Sequence, residues 1–261
     1  SASSCGFEMV SIVKKIGGNG PIFADALGNL GVYTNCIGTF GEPEIRKPFL
    51  ESQISNLVSV GEIAYTLAFE FQDGKLMLGE LGSLNKLTWD YLKEKVGIRK
   101  LTECLDESEI IGITNWSQIQ NGNDLWEGIL KFCMPNLSRN RKRHIFFDLA
   151  DPSKRRREEL ADALKIIEAY GDYGENVLGL NLTEAAVVYQ TLYGESASEK
   201  DILYCGKKIS EKLNVKLLAI HSSEGAAAFL EGKAFLEESV KISRPKLLTG
   251  CGDNFNAGFC L

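Results

Sequence analysis

Apolar and polar residues along the 261-residue chain follow two different periods, which predict strands and helices in alternation. Short, uniformly apolar runs indicate buried strands, and segments with an apolar residue every three or four positions indicate helices. The predicted strands are 32–38, 109–114, 144–147, 177–182 and 215–221. The predicted helices are 22–30, 88–96, 125–134, 157–170, 183–192 and 200–213. Segment 226–236 is apolar without a clear period, and the pattern assigns it to neither class.

This alternation predicts the fold class. Strands separated by helices of roughly 10–15 residues are typical of βαβ units, in which a parallel sheet is covered on both faces. We therefore expect a single α/β domain over residues 1–261, with a mostly parallel sheet flanked by helices.

Residues 62–78 (EIAYTLAFEFQDGKLML) break this pattern, because their apolar positions alternate with period two. The Asp73-Gly74 pair in the middle is a strong turn signal, so the segment predicts a β-hairpin. Such a hairpin can serve as a small lid over a site, or it can extend the edge of the sheet. If exposed, it can also join two copies as a homodimer.

Composition narrows the class of protein. The chain has 29 Lys+Arg and 35 Asp+Glu, a net charge of −6, which argues against nucleic acid or an anionic membrane as the main partner. It has no apolar run of the roughly 20 residues that span a bilayer, and no leader-like N-terminal pattern. The seven cysteines are scattered without a C-x-x-C pair, as expected for reduced thiols in the cytoplasm.

The segment 249–259 (TGCGDNFNAGF) carries the most informative chemistry. Gly250 and Gly252 let the backbone approach a ligand closely, and a helix from Asn254 onward would direct its first amides at an anion. Asp253 beside such a site is suited to take a proton from an attacking hydroxyl. Taken alone, the segment is weak evidence, and an ordinary strand-to-helix turn with an N-capping aspartate is the favoured alternative.

This segment resembles the G-A-G-D signature of ribokinase-like carbohydrate kinases, the PfkB family. The resemblance implies that Asp253 is the catalytic base and that the turn amides stabilise the transferred phosphoryl group. Those amides belong to Gly250, Cys251 and Gly252. Cys251 replaces the usual alanine, and the two residues before Thr249, usually Asp and Thr, are Leu247 and Leu248 here.

Residues 17–31 (GGNGPIFADALGNLG) are similar to the first signature of the same family. The resemblance implies that Gly17 and Gly18 lie against the substrate, and Asn19 is a further substrate-binding candidate. Ile22 stands where the family has a substrate-binding asparagine. A nucleoside kinase of the same fold and a non-catalytic ligand-binding relative are therefore alternatives to a sugar kinase.

Further motifs follow in the family's order. Asn181 and Glu184 match its N-x-x-E motif, which implies a Mg²⁺ ion held by Glu184 through water; a helix-capping arrangement is the alternative. Ser222 and Gly225 fall where the family binds the nucleotide, with Ser222 replacing a glycine. Either Asp148 or Asp151 can take the place of the aspartate that closes a strand in the family.

His221 is expected to serve packing or capping. Taken together, the motifs imply an enzyme that transfers the γ-phosphate of ATP, with Mg²⁺, to a hydroxyl of a sugar or a similar small molecule. The family fold also has a strand with a substrate-binding aspartate before the glycine pair, and nucleotide contacts after the last helix. No counterpart is evident, so we expect these parts to be missing from the chain.

Overall fold

The computed structural model describes residues 10, 13–71, 74–197, 201–242 and 249–261. Asp73, Leu247 and Leu248 lie outside the described residues. The described strands are β1 (Asn35–Gly38), β2 (Asn56–Ser59), β3 (Tyr65–Phe71), β4 (Gly74–Glu80), β5 (Ile110–Ile113), β6 (His144–Asp148), β7 (Glu175–Asn181), β8 (Leu217–His221), β9 (Gly225–Leu230) and β10 (Lys233–Glu238). The α-helices are α1 (Asn19–Asn29), α2 (Lys47–Leu50), α3 (Trp89–Val96), α4 (Ile98–Glu107), α5 (Gly122–Phe132), α6 (Arg157–Tyr170), α7 (Leu182–Tyr193), α8 (Ile202–Lys212) and α9 (Cys251–Phe259).

A six-stranded sheet in the order β10-β9-β8-β7-β6-β5 forms the centre of the described structure. Strands β5 to β8 are parallel to one another, whereas β9 and β10 continue the sheet in antiparallel pairing. The prediction of an α/β fold with a mostly parallel sheet is confirmed.

Consecutive side chains of β6 show how the sheet is covered on both faces. Phe147 makes edge contacts with Trp126 of α5 and Tyr170 of α6. Phe146, its neighbour in the strand, instead stacks on Phe23 of α1, with ring centroids 5.5 Å apart. Since successive side chains of a strand point to opposite faces, this apolar strand is buried by two layers of helices. Helix α9 contributes the buried Ala257 to the same cluster as Phe23.

The predicted elements agree with the structure in kind and differ at their ends. Helix 157–170 is confirmed residue for residue, whereas the strand predicted over 32–38 begins only at Asn35. The preceding residues close α1 instead, because the amide of Val32 donates to the carbonyl of Leu27 and Gly31 has a φ of +87°. Helix α4, residues 98–107, was not predicted.

The unassigned segment 226–236 lies in β9 and β10. Residues of β9 alternate strictly between buried and half-buried positions, as expected for a strand that is covered on one face. Three consecutive alanines, which are weak strand formers, conceal this pattern in the sequence.

Segment 62–78 forms the predicted hairpin. Its strands β3 and β4 pair with each other in antiparallel register, with Leu67 opposite Leu78 and Phe69 opposite Leu76. They form a separate two-stranded sheet, so the hairpin does not extend the edge of the central sheet, and that alternative was wrong. The role of the hairpin as a lid stays a prediction. Among the described residues, no helix is both long and apolar enough to cross a bilayer.

Candidate active site

The candidate residues converge on the edge of the sheet where the parallel strands end. Asp148, Asn181 and His221 are the last residues of β6, β7 and β8. Helix α1 begins at Asn19, and α9 carries Asp253 in its first turn. In open α/β sheets, this carboxyl edge is where ligands bind.

The glycine turn leads directly into α9, which begins at Cys251, three residues earlier than predicted. Gly250 precedes the helix in the left-handed region, with a φ of +84°, a conformation that favours glycine. Ile22 packs against it, because a Cβ added to Gly250 would lie 3.4 Å from two side-chain carbons of Ile22. A Cβ added to Gly252 would lie 3.4 Å from Cε1 of His221. The turn is therefore supported from two sides.

Asp253 is buried, with 8% of its surface exposed. Its Oδ1 accepts a hydrogen bond of 3.0 Å from Nδ2 of Asn19. Burial and the nearby charge of Asp148 raise the pKa of Asp253 to about 7, and the bond from Asn19 partly opposes this rise. A carboxylate with such a pKa is well matched to proton transfer near neutral pH.

Gly17 and Gly18 precede α1 and are exposed. A Cβ added to Gly17 would meet no atom within 4 Å, and Gly18 has a φ of +87°. Gly17 thus leaves open space before the start of α1, whereas a Cβ added to Gly18 would lie 3.5 Å from Cδ of Pro21. The side chain of Asn19, expected to face the substrate, has its hydrogen bond to Asp253 instead.

Asn181 and Glu184 form a reciprocal capping box at the start of α7. Oδ1 of Asn181 accepts from the amide of Glu184, and Oε2 of Glu184 accepts from the amide of Asn181, both at 2.9 Å. These two bonds match the helix-capping alternative, and they leave the proposed metal role of Glu184 untested. Burial raises the pKa of Glu184 to about 8; the bond from Asn181 opposes this, and nearby carboxylates add to it. Among described residues, none donates to Oε1 of Glu184, which leaves that atom for a further partner.

Asp148 and Asp151 have different surroundings in the structure. Asp148 is buried at the end of β6, and its carboxylate accepts from the amide of Ala150 and from Nδ2 of Asn256, at 2.6 and 2.9 Å. Burial raises its pKa. Asp151 caps a short 3₁₀ turn through the amide of Ser153. Both aspartates raise the pKa of Glu184, and Asp148 also raises that of Asp253, which favours Asp148 as the aspartate of the site.

Asn256 is a site-adjacent residue that sequence reasoning missed. It lies one turn after Asp253 in α9, is 3% exposed, and connects α9 to β6 through Asp148. The available signal in the sequence was spacing. Asn256 follows Asp253 by three residues, so both side chains lie on the same face of the helix.

The carboxylates of Asp148, Glu184 and Asp253 are better suited to a cation bound through water than to an ion that all three ligate directly. Asp148 and Asp253 both raise the pKa of Glu184, so the three groups interact electrostatically. Over the residues with described positions, however, no three His, Cys, Asp or Glu side chains are close enough to ligate one ion together. Mg²⁺ commonly retains most of its water, so this donor set is compatible with Mg²⁺ held through water.

Ser222 begins the turn that follows β8, and Gly225 is the first residue of β9. The amide of Ser222 donates to the carbonyl of Gly225 at 2.8 Å. A Cβ added to Gly225 would lie 2.6 Å from the carbonyl oxygen of Glu237 in β10, so close strand packing explains this glycine. A separate cavity of about 440 Å³, lined by Arg143 and Lys216 among others, contains none of the predicted site residues.

Solved structures with a similar fold include several kinases of small molecules. A nucleoside kinase of Burkholderia thailandensis in complex with inosine is 16% identical, with a TM-score of 0.62, over 98% of this chain and 76% of that chain. An adenosine kinase from Sinorhizobium meliloti is 16% identical (TM-score 0.68; 93% and 69%). Arabidopsis thaliana ribokinase complexed with ribose and ATP is 17% identical (TM-score 0.63; 94% and 73%). The fold is therefore that of the ribokinase-like kinases.

Sequence comparison then gives the particular family. The model for prokaryotic ketohexokinase matches residues 1–261. A ketohexokinase of Haloferax volcanii is 30% identical over 260 residues, which are 99% of this chain and 68% of that protein. The chain belongs to the prokaryotic ketohexokinase family. It is a carbohydrate kinase, an ATP-dependent phosphotransferase with an alcohol group as acceptor, and this prediction is confirmed.

Proposed function

We propose that this protein transfers the γ-phosphate of ATP to a hydroxyl of a ketohexose, with Asp253 as the general base. The observation that carries the proposal is the buried carboxylate of Asp253 in the first turn of α9, directly after the glycine turn. Its pKa of about 7 leaves a substantial ionised fraction at neutral pH, while the carboxylate stays basic enough to accept a proton.

In the proposed reaction, Asp253 takes the proton of the acceptor hydroxyl as that oxygen forms its bond to the transferred phosphorus and the bond to the leaving oxygen of ADP breaks. The amides of Gly250, Cys251 and Gly252 donate to the transferred group, where negative charge must be stabilised. Proton removal and charge stabilisation thus occur within one helical turn.

Three sets of residues would hold the sugar, the nucleotide and Mg²⁺. Gly17 and Gly18 offer exposed backbone to the sugar, and Ser222 and Gly225 would contact the nucleotide, as the resemblance to the family implies. Glu184, assisted by Asn181, would hold Mg²⁺ through water, and the ion would neutralise phosphate charge. Support for this assignment comes from Oε1 of Glu184, to which no described residue donates.

Replacing the base tests the mechanism. Asp253→Asn keeps the size of the side chain but removes its basicity, so we expect turnover to fall by roughly 10²–10⁴-fold with acceptor and nucleotide affinities nearly unchanged. Turnover is measured by coupled ADP release, and affinities by calorimetry. Asp162→Asn, an exposed aspartate of α6, is the control. Near wild-type turnover in Asp253→Asn would reject the assigned base.

A substrate panel tests the acceptor. The relative named ketohexokinase and the matching family model favour a ketohexose, whereas Ile22, in place of an asparagine that binds sugar in the wider family, favours a nucleoside. We expect ADP release with fructose to exceed that with ribose, adenosine or inosine at equal concentration. A preference for a nucleoside would replace the proposed acceptor, and binding without ADP release would indicate a non-catalytic relative.

The hairpin supports two linked proposals. We propose that it covers the acceptor site as a lid, and that two copies pair through its apolar face as a homodimer. Tyr65, Phe71, Leu76 and Leu78 on this hairpin are exposed large apolar residues, and such contiguous patches mark interaction sites.

A further inference from the structure

The geometry points to a role for Asn19 other than substrate binding. We propose that Asn19 is a positioning residue, which holds the carboxylate of Asp253 so that its second oxygen, Oδ2, faces the acceptor hydroxyl. This inference rests on the proposed role of Asp253 as the base.

The hydrogen bond between the two side chains is the first observation. Nδ2 of Asn19 donates to Oδ1 of Asp253 at 3.0 Å, across 234 positions of sequence. Of the residues with described positions, Asn19 alone donates to this carboxylate, and none donates to Oδ2. One oxygen of the base is therefore held, and the other is left to accept a proton.

The two residues are held together by the packing of their helices. Helices α1 and α9 share one face of the sheet, where Phe23 and Leu27 of α1 lie in one buried cluster with Ala257 of α9. Near the start of α1, a Cβ added to Gly20 would lie 3.0 Å from Oγ1 of Thr114, so the chain passes close to the end of β5. Asn19 therefore approaches Asp253 from a fixed helix start rather than from a free loop.

Fixing the carboxylate matters because its terminal torsion is otherwise soft. Rotation about the Cβ–Cγ bond of an aspartate is broad and roughly two-fold. A proton acceptor must keep within hydrogen-bond reach of the hydroxyl as the reaction proceeds, and small misplacements reduce rates strongly. A single amide donor on one oxygen restricts this rotation.

The same bond also adjusts the acidity of the base. Asp148 from β6 faces Asp253 and raises its pKa, as does burial, whereas the amide of Asn19 lowers it. Glu184 from α7 is coupled to Asp253 by charge, and the imidazole of His221 from β8 lies beside the neighbouring Gly252. Removal of the amide should therefore move the titration of Asp253 to higher pH.

Asn19→Ala in the full-length protein tests the proposal. We expect kcat to fall by roughly 10–100-fold, since proton transfer by a well-placed base contributes about 10²–10⁴-fold. The acidic limb of kcat should shift to higher pH by on the order of one unit. The acceptor Kd, measured by calorimetry without ATP, should change by less than about three-fold.

Asn19→Asp provides a second variant, which keeps the volume of the side chain but replaces the donor by an acceptor. The carboxyl ¹³C resonance of Asp253, followed against pH, should titrate at higher pH in both variants than in the wild type. Asn29→Ala is the control, because it removes another amide-to-aspartate bond, Asn29 to Asp25, from the exposed end of α1. That change should leave the pH profile unmoved.

The outcomes separate the alternatives. If the acidic limb of the kcat profile of Asn19→Ala does not shift and the variant binds the acceptor markedly more weakly, then Asn19 is a substrate ligand and the inference is wrong. Unchanged kcat and titration in both variants would overturn it as well. If Asp253→Asn retains turnover, the proposed function fails, and the inference fails with it. If Asp253→Asn is inactive while Asn19→Ala titrates normally, only the inference fails.

Discussion

At the scale of single residues, two buried carboxylates, Asp148 and Asp253, and the half-buried carboxylate of Glu184 dominate the candidate site. Asp148, Glu184 and Asp253 are each withdrawn from water, and burial is the largest cause of the raised pKa of each. Each has at least one hydrogen-bond donor, which reduces but does not remove the cost of ionisation. The folded chain therefore holds these protons more tightly than the unfolded chain does.

This arrangement makes stability depend on pH. The pKa of Glu184 is raised from 4.5 to about 8, so the folded state binds more protons than the unfolded state between those values. The contribution of Glu184 to the free energy of unfolding therefore falls as the pH rises from about 4.5 to 8. Above pH 8 the buried charge is fully present.

Glu184→Gln should relieve this cost, because glutamine keeps an acceptor for the capping bond from Asn181 but cannot ionise. We expect its melting temperature to match that of the wild type near pH 5 and to exceed it by on the order of a few degrees near pH 9. Differential scanning calorimetry in metal-free buffer measures the difference. Glu158→Gln, in the exposed first turn of α6, should show no such pH-dependent gain. An equal difference at both pH values would contradict the buried charge.

At the scale of elements, the hairpin has two unlike faces. Leu67 opposite Leu78 and Phe69 opposite Leu76 lie on one face, since paired residues of antiparallel strands point the same way. Met77, the next residue after Leu76, lies on the other face, opposite Ala68. Leu78 and Met77 are similarly exposed, at 50% and 47%, so they allow a matched comparison of the two faces.

If two copies pair through the apolar face, Leu78→Lys should convert a dimer to a monomer, because a lysine charge would be buried without a partner. Met77→Lys, on the opposite face, should leave the dimer intact. Light scattering coupled to size-exclusion chromatography measures the mass of each variant. A monomeric wild type at high concentration, or the same mass for both variants, would remove the proposed dimer.

At the scale of the whole molecule, the candidate site is assembled from distant segments of the chain. The bond from Asn19 to Asp253 spans 234 positions, and the bond from Asn256 to Asp148 spans 108. The first bond depends on α1 and α9 packing on the same face of the sheet, and the second depends on α9 lying close to the end of β6. A variant that disturbs this packing should therefore affect the base even if it lies far from Asp253 in sequence.

The sequence predicted best those helices and strands that are determined by neighbouring residues. The period of apolar residues predicted α6 residue for residue and the parallel strands in kind, because periodicity reports directly which face is buried. The strand expected from residue 32 and the unassigned β9–β10 segment show the limit. The end of α1, which closes at a glycine, obscured the start of β1. A run of three alanines obscured the alternation of β9.

The sequence by itself determined the fold class, the kinase family and the glycine turn that precedes α9, because apolar periods and glycine spacing reflect interactions over a few neighbouring residues. Tertiary structure decided which partner each polar side chain takes. Asn19 was expected at the substrate but bonds to Asp253, and Glu184 was expected at a metal but also caps its own helix. Such choices depend on distances between elements far apart in sequence, and no local pattern records those distances.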